Sequence, residues 1–432
     1  MPSINTAAAP QSATVAAPQT NRGAMAMVTS LFFMWGFITC LNDILIPHLK
    51  SIFDLNYTRA MLVQFSWFGA YFLFSYPSAK IIDAIGYKKS MVTGLVVMGA
   101  GTLFFIPAAQ AASYGQFLAA IIIVAAGMTL LQTSANPYVA ILGPPETASS
   151  RLNLTQAFNS LGTTVAPMFG AILILGAVAE PVAVEVLRAM TPDQLQAYRV
   201  AQAASVKAPY IGLGVALMVL ATVLALFKLP RIRSAEAHEK VHDSIWHHTH
   251  LVLGALGIFV YVGAEVSIGS FLTNYLNRPE IGNLSLKDAA DMLKYYWGGA
   301  MVGRFVGAYI MRRVPARKVL AFNAVMSGSL VLVTMMTSGH IAVWSVLLVG
   351  LFNSIMFPTI FTLAIEGMGP LTGDASGLLI AAIVGGAIIP VAQGFMADHI
   401  GIQPAFIIPA VCYVYIAYYG LFGSRRKVPV VG

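Results

Sequence analysis

The sequence predicts an all-α membrane protein with twelve transmembrane helices arranged as two pseudo-symmetric six-helix bundles. Three observations lead there. Twelve apolar segments are each long enough to cross ~30 Å of hydrocarbon. The chain of 432 residues is 58% hydrophobic and only 10% charged, with mean hydropathy +0.76, against about 25% charged residues in ordinary globular proteins. A spaced pattern of polar residues and prolines recurs in both halves. Helices are the reading because unpaired backbone groups are costly in lipid.

In chain order, residues 1–23 are rich in Ala, Pro, Thr, Ser and Gln, with Arg22 their one charged side chain. They lack a basic stretch followed by an apolar one, so they read as a disordered cytoplasmic tail and not a signal peptide. The first bundle, 24–228, holds spans at 24–49, 60–82, 89–109, 115–142, 152–177 and 209–228. A polar segment at 229–249, with Arg231, Arg233, Glu236, Glu239, Lys240 and Asp243, is the cytoplasmic linker. The second bundle, 250–423, holds spans at 250–276, 289–311, 318–338, 341–367, 374–396 and 401–422, and 424–432 is a second cytoplasmic tail. Between spans five and six, Thr191 followed by Pro192 has the signature of a helix start, which predicts a short surface helix there.

Basic residues orient the spans. With the N-terminus inside, sixteen Lys and Arg fall on the inside, among them Lys80, Lys88, Lys89, Arg151, Arg312 and Arg313, and eight on the outside, with Arg304 within span eight. Cytoplasmic loops carry that excess, so both termini are expected in the cytoplasm. The same count explains the net charge of +8 without nucleic acid as a partner. Cys40 and Cys412 lie in apolar runs and behave as small hydrophobes, so no disulfide framework is expected.

The repeat sharpens the six-plus-six division. Gln132 in span four lies five residues before Pro137, and Asn353 in span ten lies five before Pro358. Span five has Pro167 and Gly170 where span eleven has Pro390 and Gly394, and the acids Asp43 and Glu265 occupy the corresponding spans one and seven. Two related bundles around a central cavity follow.

Between spans two and three, Asp83, Gly86, Lys88 and Lys89 resemble the D-x-x-G-x-[RK]-[RK] signature of the major facilitator superfamily. An acid beside basic neighbours at a helix end can latch two bundles by charge-assisted hydrogen bonds; the plainer role is a positive-inside anchor. The strings LNDILIPHLK (41–50), ANPYVAILGP (135–144), RLNLTQAFNSLG (151–162), YVGAE (261–265), GRF (303–305) and FPTIF (357–361) together resemble the fucose/galactose/glucose symporter family. That resemblance implies the major facilitator fold and uptake of a sugar by alternating access, driven by a cation gradient. Asp43, Gln156 and Asn159 match the family pattern. Two positions depart from its L-fucose/proton members, which have an acid where this chain has Gln132 and a glutamine where it has Glu265. The glucose/galactose branch is the closer fit.

The residues carry the same chemistry without the family. Asp43 and Glu265 are the acids deep within spans, where ionisable groups are expensive, face cavities and serve function. Burial favours the neutral acid, so either can exchange a proton as water access alternates; Glu265 alternatively accepts a sugar hydroxyl only. Sugar recognition needs amides and hydroxyl partners around an aromatic face. Gln156, Asn159 and Thr163 share one helical face, as do Gln132 and Asn136; Asn42, Tyr261 and Asn353 complete the expected set, with Phe259, Trp297, Phe357 and Phe361 as further aromatics. The plainer role of such amides is to glue helices together.

Arg304, about seven residues or ~10 Å from its helix end, reads as a snorkelling or structurally paired base. His238, His242, His247, His248 and His250 read as a solvated linker, not a metal site. No G-x-x-x-x-G-K-[ST] string points to nucleotide. The expectation is therefore a non-enzymatic importer without cofactor, a monomer in the inner membrane of a bacterium, taking a hexose of glucose/galactose type with a proton. Sodium coupling, and N-acetylglucosamine or L-fucose as substrate, remain the alternatives; a channel or a receptor would bind sugar without accumulating it.

Overall fold

The computed structural model describes residues 21–53, 57–173, 190–230 and 244–426, and leaves undescribed some side chains within helices, those of 40–48 and 167–173 among them. Asn42 and Asp43, Pro167 and Gly170, the tail 1–20 and the linker 231–243 with His238 and His242 therefore lie outside the described residues.

Each of the twelve expected spans corresponds to a helical run, and no strand occurs among the described residues. Span one is α1 (Arg22–Phe53); α2 (Tyr57–Gln110) carries spans two and three; α3 (Tyr114–Ile141) and α4 (Ala148–Leu173) are spans four and five. The surface helix α5 (Pro192–Ala203) begins as expected: the Thr191 hydroxyl accepts from the Gln194 backbone N–H while the Gln194 side chain accepts from the Thr191 N–H. Span six is α6 (Lys207–Leu226). In the second bundle, α7 (Thr249–Asn277), α8 (Leu286–Ile310) and α9 (Ala316–Met336) are spans seven to nine. Span ten divides into α10 (Gly339–Asn353) and α11 (Met356–Ile365), and span eleven into α12 (Thr372–Ala381) and α13 (Gly385–Ile400). Span twelve is a single turn, α14 (Ile402–Ala405), then α15 (Ile407–Tyr418) and a π turn to Gly423.

The breaks have local causes. In α2 the two spans meet at Gly86, with φ 78° and ψ 166°, a conformation a side chain resists; the glycine of the loop signature makes the turn. The break in span ten, expected as one helix over 341–367, follows from Pro358. Proline has no N–H to give the carbonyl four residues earlier and its ring collides with it, so the helix yields at Ser354 and Ile355.

Packing repeats between the bundles. The α1–α4 pair of the first is matched by α7–α13 in the second, and the α3 pairing with α2 by the α10 pairing with α8. Contacts of α2 with α6 correspond to those of α9 with α15. Hydrocarbon supplies no hydrophobic drive between helices, so close van der Waals approach of small residues does the work. At one such crossing, a Cβ on Gly127 of α3 would lie 2.6 Å from the Met98 nitrogen and 2.7 Å from the Gly94 carbonyl oxygen of α2. Apolar side chains that no neighbour covers, such as Val219, Phe322 and Val414, face outward as a lipid-contacting surface requires.

The bundles meet along α4 against α8 and α11, and along α2 and α3 against α12. Every cross-bundle hydrogen bond found among the described residues lies between mid-span and the face that carries Lys80, Lys88, Lys89, Arg312 and Arg313, here termed the basic face. Ser149 and Thr362 hydroxyls are 2.6 Å apart, the Ser150 hydroxyl donates to the Ala308 carbonyl at 2.5 Å, and the Asn153 amide donates to the Thr359 hydroxyl at 3.2 Å.

Gly127→Val should force α2 and α3 apart and destabilise the protein by about 1–3 kcal/mol, read as a lowered midpoint of thermal unfolding in detergent. Gly212→Ala on α6, where a Cβ meets nothing within 4 Å, should leave that midpoint unchanged. Equal effects of the two would contradict the packing assignment.

Candidate functional site

Polar residues that the apolar helices would otherwise exclude gather where the bundles face each other. In the first bundle, Gln132 Nε2 donates to the Tyr71 hydroxyl at 2.6 Å, joining span four to span two, with Trp67 edge-on to the Tyr71 ring at 6.2 Å. In the second, Asn353 Nδ2 donates to the Tyr296 hydroxyl at 3.0 Å, joining span ten to span eight. The amides matched by the sequence repeat thus hold equivalent partners on equivalent helices, and all four residues are buried.

From α4, Gln156 Nε2 reaches Asn136 Oδ1 at 3.5 Å, and Asn159 Nδ2 donates to the Phe32 carbonyl of α1 at 3.0 Å. The donor of Asn159 therefore binds helix to helix, and Gly36 of α1 lets the backbones come that close. Thr163, on the same face, donates to its own helix at Ser160. On α7, the Tyr261 hydroxyl donates to Glu265 Oε1 at 2.8 Å, one helical turn away.

These bonds do not exhaust the polar atoms. Gln132 Oε1, Asn136 Nδ2, Asn153 Oδ1 and Asn353 Oδ1 are buried with no hydrogen-bond partner among the described residues. An unpaired buried polar atom costs about 1–3 kcal/mol, so amide atoms left unpaired on both bundles are suited to a ligand rich in hydroxyls. Each amide oxygen can accept from a hydroxyl and Asn136 Nδ2 can donate to one, which is the mixed requirement of a sugar.

Sequence reasoning missed Tyr71 and Tyr296, which read as ordinary core aromatics. Of the aromatics it named, Phe361 is fully buried in the core beside Phe357, while Trp297 is half exposed and packs edge-on against Tyr296 with centroids 5.0 Å apart. Arg304 proves paired and not snorkelled. Its Nε donates to the Ser354 carbonyl at 3.0 Å, the acceptor released by Pro358, and it also bonds the Gln156 carbonyl and Ser160 hydroxyl of α4. Gly303 allows this, since a Cβ there would collide with Ser354. Arg151 is likewise no solvated anchor. It is buried and donates to the Val139, Ala140 and Pro144 carbonyls, satisfying orphan acceptors at the end of α3.

At the basic face, the lysine that reaches across the seam is Lys80, whose Nζ is 2.9 Å from Asp374 Oδ1 at the start of α12. Asp83 is 3.7 Å from the same ammonium and stands over Gly373, where a Cβ would be 2.8 Å from Oδ1. Lys88 donates to the Ala225 carbonyl of α6, within its own bundle, and Lys89 is exposed.

Comparison with known proteins identifies the family. The sequence profile of the Major Facilitator Superfamily matches residues 23–382. The chain belongs to that superfamily. It is 55% identical to the glucose/galactose transporter of Brucella abortus biovar 1 (strain 9-941), covering 94% of this chain and 96% of the relative. It is 34% identical to the L-fucose-proton symporter of Escherichia coli (strain K12), covering 93% of each. The solved structure of the transporter FucP in the outward conformation superposes with a TM-score of 0.86 at 33% identity, over 94% of this chain and all of that one. These likenesses bear out the resemblance to the fucose/galactose/glucose symporters and the two-bundle fold.

The Lys80–Asp374 pair is partly exposed, with side chains 48% and 28% accessible, so its contribution is that of a surface ion pair, under about 1 kcal/mol. Asp374→Ala should therefore speed opening of the basic face only about two- to four-fold, with the exchange Lys80→Asp/Asp374→Lys restoring the parent rate. Alkylation of a cysteine placed at buried Ser75, which lies against Gly377 across the seam, measures it. A hundred-fold effect would mean that this pair alone holds the face shut.

Proposed function

We propose that this chain imports a hexose of glucose/galactose type by alternating access, driven by the proton gradient across a bacterial inner membrane. The observation that carries the reading is the set of buried amide atoms without a partner among the described residues, Gln132 and Asn136 from one bundle and Asn353 from the other. A ligand that pairs with both sets senses their separation, and so is bound differently in each state of the cycle. The 55% likeness to a glucose/galactose transporter supports glucose or galactose as the ligand, and the fucose-proton symporter likeness supports the proton.

In this reading the binding set is Asn42, Gln132, Asn136, Gln156, Asn159, Tyr261, Glu265 and Asn353, and Asp43 is the coupling carboxylate. Tyr71 and Tyr296 orient the amides. Bundles 24–228 and 250–423, joined by the linker 229–249, rock about the site, with both termini in the cytoplasm and the basic face inward. The loop Asp83, Gly86, Lys88 and Lys89 acts with Lys80 as the conformational latch, and the transporter works as a monomer. With the basic face closed by cross-bundle hydrogen bonds, the described state corresponds to the outward-facing one. No bond is made or broken in the sugar. One inward charge falling through 100 mV releases ~2.3 kcal/mol, enough for roughly fifty-fold accumulation.

Asp43→Asn tests the coupling. A neutral amide mimics the protonated acid but cannot cycle, so concentrative glucose uptake into proteoliposomes should vanish while exchange of labelled for unlabelled sugar persists. Unchanged accumulation would remove Asp43 from the role.

Glu265→Gln keeps one acceptor oxygen and the side chain's shape, so it should raise the sugar's half-saturation constant and leave the steady-state accumulation ratio intact across a pH series. Loss of accumulation with sugar binding preserved would transfer the coupling proton to Glu265.

A further inference from the structure

Four groups converge on the Arg304 guanidinium, and they belong to both bundles. On its own side, Nε donates to the Ser354 carbonyl at 3.0 Å, and Nη2 lies 4.0 Å from Glu265 Oε1, longer than the ~2.7–2.9 Å of a charge-assisted hydrogen bond. Across the seam, Nη1 donates to the Gln156 carbonyl of α4 at 3.4 Å and to the Ser160 hydroxyl. The arginine and glutamate side chains are 13% and 16% accessible with the basic face shut.

The arrangement leaves one set of bonds made and another poised. If α4 and α8 separate at the basic face, Nη1 loses both acceptors at once. A buried charge stripped of a partner is strongly disfavoured, and the carboxylate already within about 4 Å on the same bundle is the available replacement. Ser354 serves as the pivot: its carbonyl, freed by Pro358, holds Nε within the same bundle whichever partner Nη1 and Nη2 take.

We propose that Arg304 is a positioning residue that exchanges partners during the transport cycle, bonding α4 while the basic face is shut and pairing directly with Glu265 when it opens. The inference rests on the transport reading above, and it gives the Glu265 carboxylate a second duty, that of compensating the arginine in the open state.

The test reads closure without sugar. Ser149 and Thr362 hydroxyls lie 2.6 Å apart across the seam, so a cysteine pair at these positions, in full-length protein carrying Cys40→Ser and Cys412→Ser in proteoliposomes, cross-links under oxidant when the face is shut. Arg304→Gln should slow cross-linking at least five-fold, and Arg304→Lys, which keeps the charge and can reach one acceptor, should recover part of the rate. Glu265→Gln should act in the opposite sense and raise the rate at least two-fold, because the open state loses its partner for the arginine. Should Arg304→Gln fail to fold, Ser160→Ala removes one α4 acceptor and should slow cross-linking in a folded protein. A parental rate in folded Arg304→Gln or Ser160→Ala, or a shift of the arginine and glutamate variants in the same direction, overturns the proposal. Because no sugar is present, a failure of glucose to bind the parent protein would count against the transport reading and leave the cross-linking result standing.

Discussion

Hydrocarbon offers no hydrogen-bond partner, and from that constraint the organisation of this protein follows. Every amide, hydroxyl and charge within a span has to be satisfied by another part of the chain, by a ligand or by water in a cavity. The chain meets the requirement by keeping lipid-facing surfaces apolar and pairing many of its polar side chains within each bundle and across the seam between bundles. There, Tyr71–Gln132 and Tyr296–Asn353 bind span to span within each half, while Asn153, Ser150 and Arg304 bind across. The amide atoms left unpaired among the described residues are where the proposed function puts a polar ligand.

Two arginines show how the same constraint turns a costly residue into a structural one. Arg151 satisfies the carbonyls at the end of α3, and Arg304 satisfies the Ser354 carbonyl that Pro358 sets free. Each base occupies a place where backbone acceptors are already short of donors. The proline in span ten is therefore more than a kink: it creates the acceptor that holds Arg304 between Glu265 and α4.

The spans were legible because hydropathy accumulates over some twenty residues, and the repeat of Gln132 with Pro137 and Asn353 with Pro358 marked equivalent helices before any contact was known. The cap of α5 was legible because Thr191, Pro192 and Gln194 act locally. A kink in span ten was legible in Pro358 itself, but its place at Ser354 and Ile355 and the division into two helices were not, since a hydropathy window averages over them. Tyr71 and Tyr296 escaped notice because a tyrosine in an apolar span reads as core, and their partners lie 61 and 57 residues away. The repeat itself was the signal that would have found them, once spans two and eight were aligned as carefully as four and ten. Arg151 was counted as a topological charge although it caps a helix, yet removing it leaves fifteen basic residues inside against eight outside, so the orientation argument does not depend on it.

The account stands on one claim, that the polar seam binds a sugar whose movement is tied to the proton. Purified protein in proteoliposomes with an imposed inward proton gradient tests it most directly, by following labelled glucose with and without a protonophore. Accumulation above the external concentration, collapsing when the protonophore is added and indifferent to sodium, is the expected result. Glucose that only equilibrates whatever the gradient, or that accumulates only when sodium is supplied, would contradict it.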